Sequence, residues 1–221
     1  MSPLSDRANH FARLHAGAIQ LGLAPPPAAC ECLLDYVELL TQWNAVYNLT
    51  AVRDTGDMIV RHLLDSLAIA PFVRGDDLAD LGTGAGLPGI PLAILQPSRE
   101  HVLIDSNGKK TRFLREAVRT LGLANVRVEQ TRVENARGSY ACITSRAFSD
   151  LAQMLALGGH LLAPGGVWLA MKGQLDPNEI SHLPAPFRVD ATHALDIPGL
   201  GAQRHVVIMR RSDALVQDHA A

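Results

Sequence analysis

Leu78-Ala79-Asp80-Leu81-Gly82-Thr83-Gly84-Ala85-Gly86-Leu87-Pro88-Gly89 is the stretch that decides the fold. An apolar run ends in an acid, and a glycine turn follows at once. Ile90-Pro91-Leu92-Ala93-Ile94-Leu95 then reads as a helix. Strand, tight loop and helix in this order place a small ligand at the carboxyl ends of parallel strands. Glycine lets backbone approach such a ligand where a side chain would fill the space.

Downstream of this stretch the pattern alternates. Strands are expected at 77–81, 101–105, 126–130, 140–144 and 166–171, and helices at 88–95, 108–121 and 149–162. Two further strands are expected at 187–195 and 204–210, with His205-Val206-Val207-Ile208-Met209 closing the sheet. Alternation of this kind implies an α/β fold: a Rossmann-like parallel sheet, helices on both faces and an antiparallel edge. Upstream, the first seventy-five residues read as a helical extension. Phe11, Leu14, Ala18 and Leu21 form one stripe, broken by Pro25-Pro26-Pro27, and Ala29 to Val46 forms a second helix. Thr55 is read as the cap of a third, running to Pro71. The expected organisation is a helical extension over 1–75, an α/β domain over 76–212 and a disordered tail over 213–221.

The 221 residues are 48% hydrophobic, enough for a well-buried core. No apolar run reaches membrane-span length, and the first residues lack a signal-peptide core. Cys30, Cys32 and Cys142 suit neither a disulfide framework nor a metal site, and reduced thiols suit the cytoplasm. Net charge is −2, but Arg99 to Arg137 holds nine Lys or Arg against five Asp or Glu. Within it Lys109, Arg112, Arg115 and Arg119 share one helix face, opposite Phe113, Leu114, Ala117, Val118 and Leu121. That face is either a solvated surface or an RNA contact.

The glycine loop fits two ligand classes. Gly84-x-Gly86-x-x-Gly89 matches the dinucleotide fingerprint. Asp80-x-Gly82-x-Gly84-x-Gly86 matches the acidic loop of S-adenosylmethionine-dependent methyltransferases. Asp105 ends the next strand, near where an acid binds a ribose hydroxyl in either class. Asp80 immediately before the glycines favours a cationic sulfonium over a pyrophosphate. Candidate binding residues are therefore Asp80, Gly82, Gly84, Gly86 and Asp105, and both classes remain open on the loop alone. Beyond the loop, Arg146 directly follows a strand, where its planar fork can grip a carboxylate, a phosphate or a base oxygen. Lys172 ends the apolar strand Val167–Met171, at the sheet edge where ligands bind. His62 with Asp65, and Arg204 with His205, read equally as structural pairs or as RNA contacts.

Six motifs together carry a resemblance. They are Trp43-Asn44-x-x-Tyr47-Asn48-Leu49-Thr50, Arg61-His62-x-Leu64-Asp65-Ser66, the loop Asp80 to Pro91, Ser145-Arg146-Ala147-Phe148, Lys172-Gly173-Gln174 and Arg204-His205. In this order, from about Leu33 to Met209, the chain resembles the ribosomal RNA small subunit methyltransferase G family, also called glucose-inhibited division protein B. The resemblance implies a class I S-adenosylmethionine-dependent methyltransferase that methylates nitrogen seven of one guanine in 16S ribosomal RNA. It further implies that Gly82, Leu87, Val133, Glu134 and Arg146 touch the cofactor. Arg146 and Lys172 are the expected catalytic pair, and Lys109, Arg112, Arg115, Arg119, Arg204 and His205 the expected RNA contacts. The expected partner is 16S RNA or the small-subunit particle, approached by a cytoplasmic monomer. Ring nitrogen seven carries a lone pair and no proton, so the chemistry needs no general base.

Overall fold

The strand before the glycine loop, β1 (Asp77–Leu81), is buried from Leu78 onward, and it lies inside a seven-stranded sheet. The computed structural model describes residues 3–146 and 150–212. Strand order is β3-β2-β1-β4-β5-β7-β6, with β2 (Glu100–Asp105), β3 (Val126–Gln130), β4 (Tyr140–Arg146), β5 (Leu162–Lys172), β6 (Phe187–Ala194) and β7 (His205–Arg211). The first five strands pair in parallel, and β7 runs antiparallel to both β5 and β6. The order reverses at β1, so the crevice opens beyond Leu81, whose partners are Ile104 and Ser145.

β7 lies inside the sheet, and β6 forms the edge that β7 was expected to close. Burial explains the exchange. β7 presents buried Val206, Val207 and Met209, whereas β6 is exposed or half-buried throughout. An interior strand must be apolar, and an edge strand is safer polar. The helix expected over 149–162 spans Leu151–Gly158 as α7 and continues as a 3-10 turn, Gly159–Leu161. Residues 147–149, including Ala147 and Phe148 of the fourth motif, lie outside the described residues, as does the tail 213–221.

The N-terminal segment forms α1 (Pro3–Gln20) and α2 (Pro27–Tyr47), the latter with proline at its first position, where no N–H is needed. The third helix differs from expectation. Asp54 rather than Thr55 caps it, accepting from the Asp57 N–H at 2.8 Å. After one α-turn, α3 (Thr55–Met58), the chain widens into a π-helix over Ile59–Leu64 and returns to α geometry in α4 (Asp65–Leu67). π-turns of this kind concentrate at functional sites. On the other side of the glycine loop are α5 (Gly89–Leu95) and α6 (Gly108–Leu121). Buried residues of α1, α2, the π-turn, α5 and α6 share one core on one face of the sheet. A second core gathers Trp168, Leu151, Met154 and Leu155 on α7 and β5. Tyr36 of α2 is fully buried and donates to the Ala85 carbonyl at 2.7 Å, anchoring the loop to the extension.

The loop glycines differ in what they answer to. A Cβ on Gly86 would stand 2.6 Å from Ile90 Cδ1 and 2.9 Å from Leu114 Cδ2, at φ +93. A Cβ on Gly84 would meet nothing closer than 3.9 Å, though φ is +64. Core packing against Ile90 and Leu114 thus gives Gly86 a reason of its own, apart from ligand approach. Gly86→Ala is expected to cost about 2–4 kcal/mol through overpacking and backbone strain. Gly84→Ala should cost only about 1–2 kcal/mol, from its left-handed φ alone. Denaturant melts of the two variants check the ranking.

Candidate functional site

The acid that opens the glycine loop turns inward. Asp80 is fully buried, and its Oδ2 accepts from Thr83 Oγ1 at 2.5 Å and from the Gly89 N–H at 2.9 Å. It therefore ties the loop to the start of α5. Its Oδ1 is buried without a protein partner. Burial pushes its carboxyl up to about 7, against the pull of those two hydrogen bonds. The reading of Asp80 as a residue facing a cationic ligand gives way to a loop-closing role. An acid one residue before a tight turn reaches the turn's own donors first.

Gly82, Asp105, Val133, Glu134 and Arg146 line one cleft of about 410 Å³. Ser106, Lys110, Thr131, Arg132 and Leu157, which the sequence reading did not single out, complete it. Asp105 is the organising acid. Its Oδ2 accepts from the Gly84 N–H at 2.9 Å and lies 3.8 Å from Lys110 Nζ, while its Oδ1 accepts from the Asn107 N–H at 2.8 Å. Asn107 in turn caps α6, accepting from Lys109 N–H at 2.9 Å. Val133 and Glu134 sit on a 3-10 turn, Val133–Asn135, with Glu134 exposed. Leu87 is buried beneath the loop, alongside Gly86.

A second cleft of about 490 Å³ shares a wall with the first. It is lined by Val52, Arg61, His62, Asp65, Arg146, Met171, Lys172, Gly173 and Arg204. Among the described residues, Arg146 alone lines both. Asp65, nearly fully buried, takes Arg146 Nη1 at 3.1 Å on Oδ2 and Arg204 Nε at 2.9 Å on Oδ1. Lys172 pairs with Glu179 at 2.8 Å, and the same Glu179 oxygen accepts from the Leu151 N–H at 2.6 Å. His62 shares a 2.8 Å hydrogen bond with Thr50 Oγ1. Burial first, and then the Arg146 charge, lowers the His62 imidazole to about 4, so it is neutral at physiological pH. The Trp43–Thr50 motif supplies the buttress: Asn44 accepts from the Thr50 N–H at 2.9 Å and donates to the Val52 carbonyl at 3.2 Å.

The predicted RNA contacts divide. Arg204 joins the second cleft, whereas His205 bonds the Gly173 carbonyl at 2.7 Å and lies opposite Lys172 in the β5–β7 pairing. Lys109, Arg112, Arg115 and Arg119 line a separate depression of about 920 Å³ with Trp43, Asn107 and Gln130. Arg119 is partly engaged there by Glu116, at 2.6 Å.

A profile of the family described as rRNA small subunit methyltransferase G matches residues 29–207. The chain belongs to this family. A relative from Stenotrophomonas maltophilia (strain K279a), named ribosomal RNA small subunit methyltransferase G, is 52% identical over 206 residues, covering 90% of this chain and 94% of the relative. One of the same name from Ectopseudomonas mendocina is 49% identical and covers 95% of this chain and all of its own length. Among solved structures, the B. subtilis M1A22 tRNA methyltransferase TrmK superposes with TM-score 0.55 at 14% identity, over 67% of this chain and 66% of TrmK. A SAM-dependent methyltransferase from Aquifex aeolicus superposes at 0.53 and 17% identity, over 69% of this chain and 92% of that one. These likenesses show the fold: a class I methyltransferase sheet. Of the two classes that the glycine stretch left open, family membership decides for the methyltransferase. Among the described residues no helix is long and apolar enough to cross a membrane.

Asp80 yields a pH test. Its folded pKa of about 7 lies above the ordinary 3.8, so the folded state holds the proton more tightly. The stability this gives is complete below about pH 4 and is lost as pH rises through 7. Asp80→Asn keeps an acceptor for Thr83 and Gly89 and is expected to flatten that slope in urea melts between about pH 4 and 7.

Proposed function

We propose that the protein transfers a methyl group from S-adenosylmethionine to nitrogen seven of one guanine in 16S ribosomal RNA. The observation that carries this is Arg146 on the wall between two clefts. A donor in one and an acceptor base in the other meet at that side chain. Family membership favours small-subunit ribosomal RNA as the source of the base. The protein acts as a cytoplasmic monomer on 16S RNA or the small-subunit particle.

The first cleft suits S-adenosylmethionine. Gly84 presents an outer face on which even a Cβ would be free, and Asp105 retains acceptor capacity for ribose hydroxyls. Gly82, Val133 and Glu134 frame the remainder. Bound there, the cofactor supplies an electrophilic methyl group. The second cleft suits a nucleotide: four cations, Arg61, Arg146, Lys172 and Arg204, line it with one acid, Asp65. The α/β part, 76–212, supplies the first cleft, and the helical part, 1–75, supplies Val52, Arg61, His62 and Asp65 to the second. No residue needs to remove a proton, because guanine nitrogen seven has none. Neutral, buried His62 is accordingly a wall and not a base. Arg146 orients the base by its fork, and Lys172, steadied by Glu179, holds oxygen or phosphate.

Tritiated methyl transfer to RNA or small-subunit particles, followed by nucleoside analysis, tests this reading. 7-Methylguanosine is the expected product, and labelling of any other nucleoside would refute it. Arg146→Lys keeps the charge but loses the fork, and should lose most turnover. Arg146→Ala should lose nearly all. Asp65 keeps Arg204 in both variants, so melting temperature should move far less than turnover.

The basic depression along α6 makes its own prediction. Each single-strand phosphate contact contributes a slope of about −0.7 in log affinity against log salt. Reversing the charge of Arg115 and Arg119 together should make the RNA-binding slope shallower and leave cofactor affinity unchanged. An unaltered slope would return this face to plain solvation.

A further inference from the structure

The second cleft is built around a buried carboxylate. Asp65 has a side chain only 3% exposed. Each of its oxygens holds a guanidinium from a distant part of the chain: Arg146 at the end of β4, 3.1 Å away, and Arg204 just before β7, 2.9 Å away. Both arginines are partly open, at 23% and 27%. The chain brings Asp65 here through the π-turn Ile59–Leu64, whose Arg61 carbonyl also approaches Arg146 Nη1 at 3.4 Å.

The chemistry makes this pairing consequential. As nitrogen seven donates its lone pair to the methyl carbon, the sulfur–methyl bond breaks and its electron pair stays on sulfur. One positive charge passes from sulfur to the base, and no proton moves. The base therefore becomes cationic in a cleft already lined by four cations. Lys172 is answered by Glu179. Arg146 and Arg204 are answered by Asp65 alone among the ion pairs of the described residues. An uncompensated guanidinium beside a developing cation raises the barrier.

We propose that Asp65 is a positioning residue that offsets one of the two positive charges of Arg146 and Arg204, so that their forks hold the RNA while opposing less strongly the charge that methylation places on the base. This rests on the methyl-transfer reading above. It separates two properties that a merely structural carboxylate would lose together: RNA affinity and the rate of the chemical step.

The test uses the full chain with a 16S RNA or small-subunit substrate, measuring single-turnover rate, RNA affinity and S-adenosylhomocysteine affinity. Asp65→Asn keeps the shape and one acceptor oxygen but adds one net positive charge to the cleft. Its single-turnover rate should fall roughly 10- to 100-fold, with RNA affinity equal to or tighter than wild type and S-adenosylhomocysteine affinity unchanged. Adding Arg204→Gln restores the original net charge, so the double variant should turn over faster than Asp65→Asn. Parallel loss of RNA affinity and rate in Asp65→Asn, a wild-type rate, or no recovery in the double variant would overturn the proposal. Should Asp65→Asn not fold, Asp65→Glu decides: it keeps the charge and is expected to retain turnover, and a folded but inert Asp65→Glu would overturn the idea. A wild-type protein that makes no 7-methylguanosine would instead sink the underlying reading.

Discussion

A buried negative charge shared between two arginines ties this molecule together. Asp65 belongs to the helical extension, Arg146 to the fourth parallel strand and Arg204 to the entry of the antiparallel pair. A carboxylate this deep is costly unless matched, and leaving it with no partner at all is strongly destabilising. The three segments therefore cannot drift apart without exposing the cost. Where they converge they leave a cleft, and the charge arrangement that holds the fold also sets the field in which a base would sit.

The sheet topology explains why the clefts lie side by side. Strand order reverses at β1, so helices leave on opposite faces and a crevice opens above the carboxyl ends of β1, β2 and β4. The glycine loop and Asp105 occupy one part of that crevice, and Arg146 another. α2 reaches the loop through Tyr36 and reaches the second cleft through Asn44, Thr50 and His62. The extension is thus a supporting wall for both clefts, and this explains why the Trp43–Thr50 and Arg61–Ser66 motifs accompany the loop.

Local patterns were legible because local physics produced them. β1, β3 and α6 fall where periodicity put them, and α6 is bounded by an Asn107 cap and a left-handed Gly122. In the first cleft, Gly82 and Asp105 were readable from the loop and the next strand's end, whereas Val133 and Glu134 came only with the family resemblance. What was hidden depends on distance or on atomic detail. Arg146 and Arg204 stand 81 and 139 residues from Asp65, and no spacing rule links them. The π-turn leaves no periodic signature in six residues. Asp80 and Gly86 had the right residue types for ligand contact, yet Thr83, Gly89, Ile90 and Leu114 claim them first. The β6–β7 exchange was signalled by the polarity of 187–194, which marks an edge.

The central claim is that donor and acceptor occupy different clefts divided by Arg146. Hydrogen–deuterium exchange measures it most directly, with S-adenosylhomocysteine alone and then with a 16S RNA fragment added. The account predicts that S-adenosylhomocysteine protects the segments around 82–87, 105–110 and 131–135. RNA should then add protection around 52–65, 172–174 and 203–205, with Arg146 protected in both steps. Protection by RNA confined to the first set, or to α6 with none at 52–65, would contradict the account.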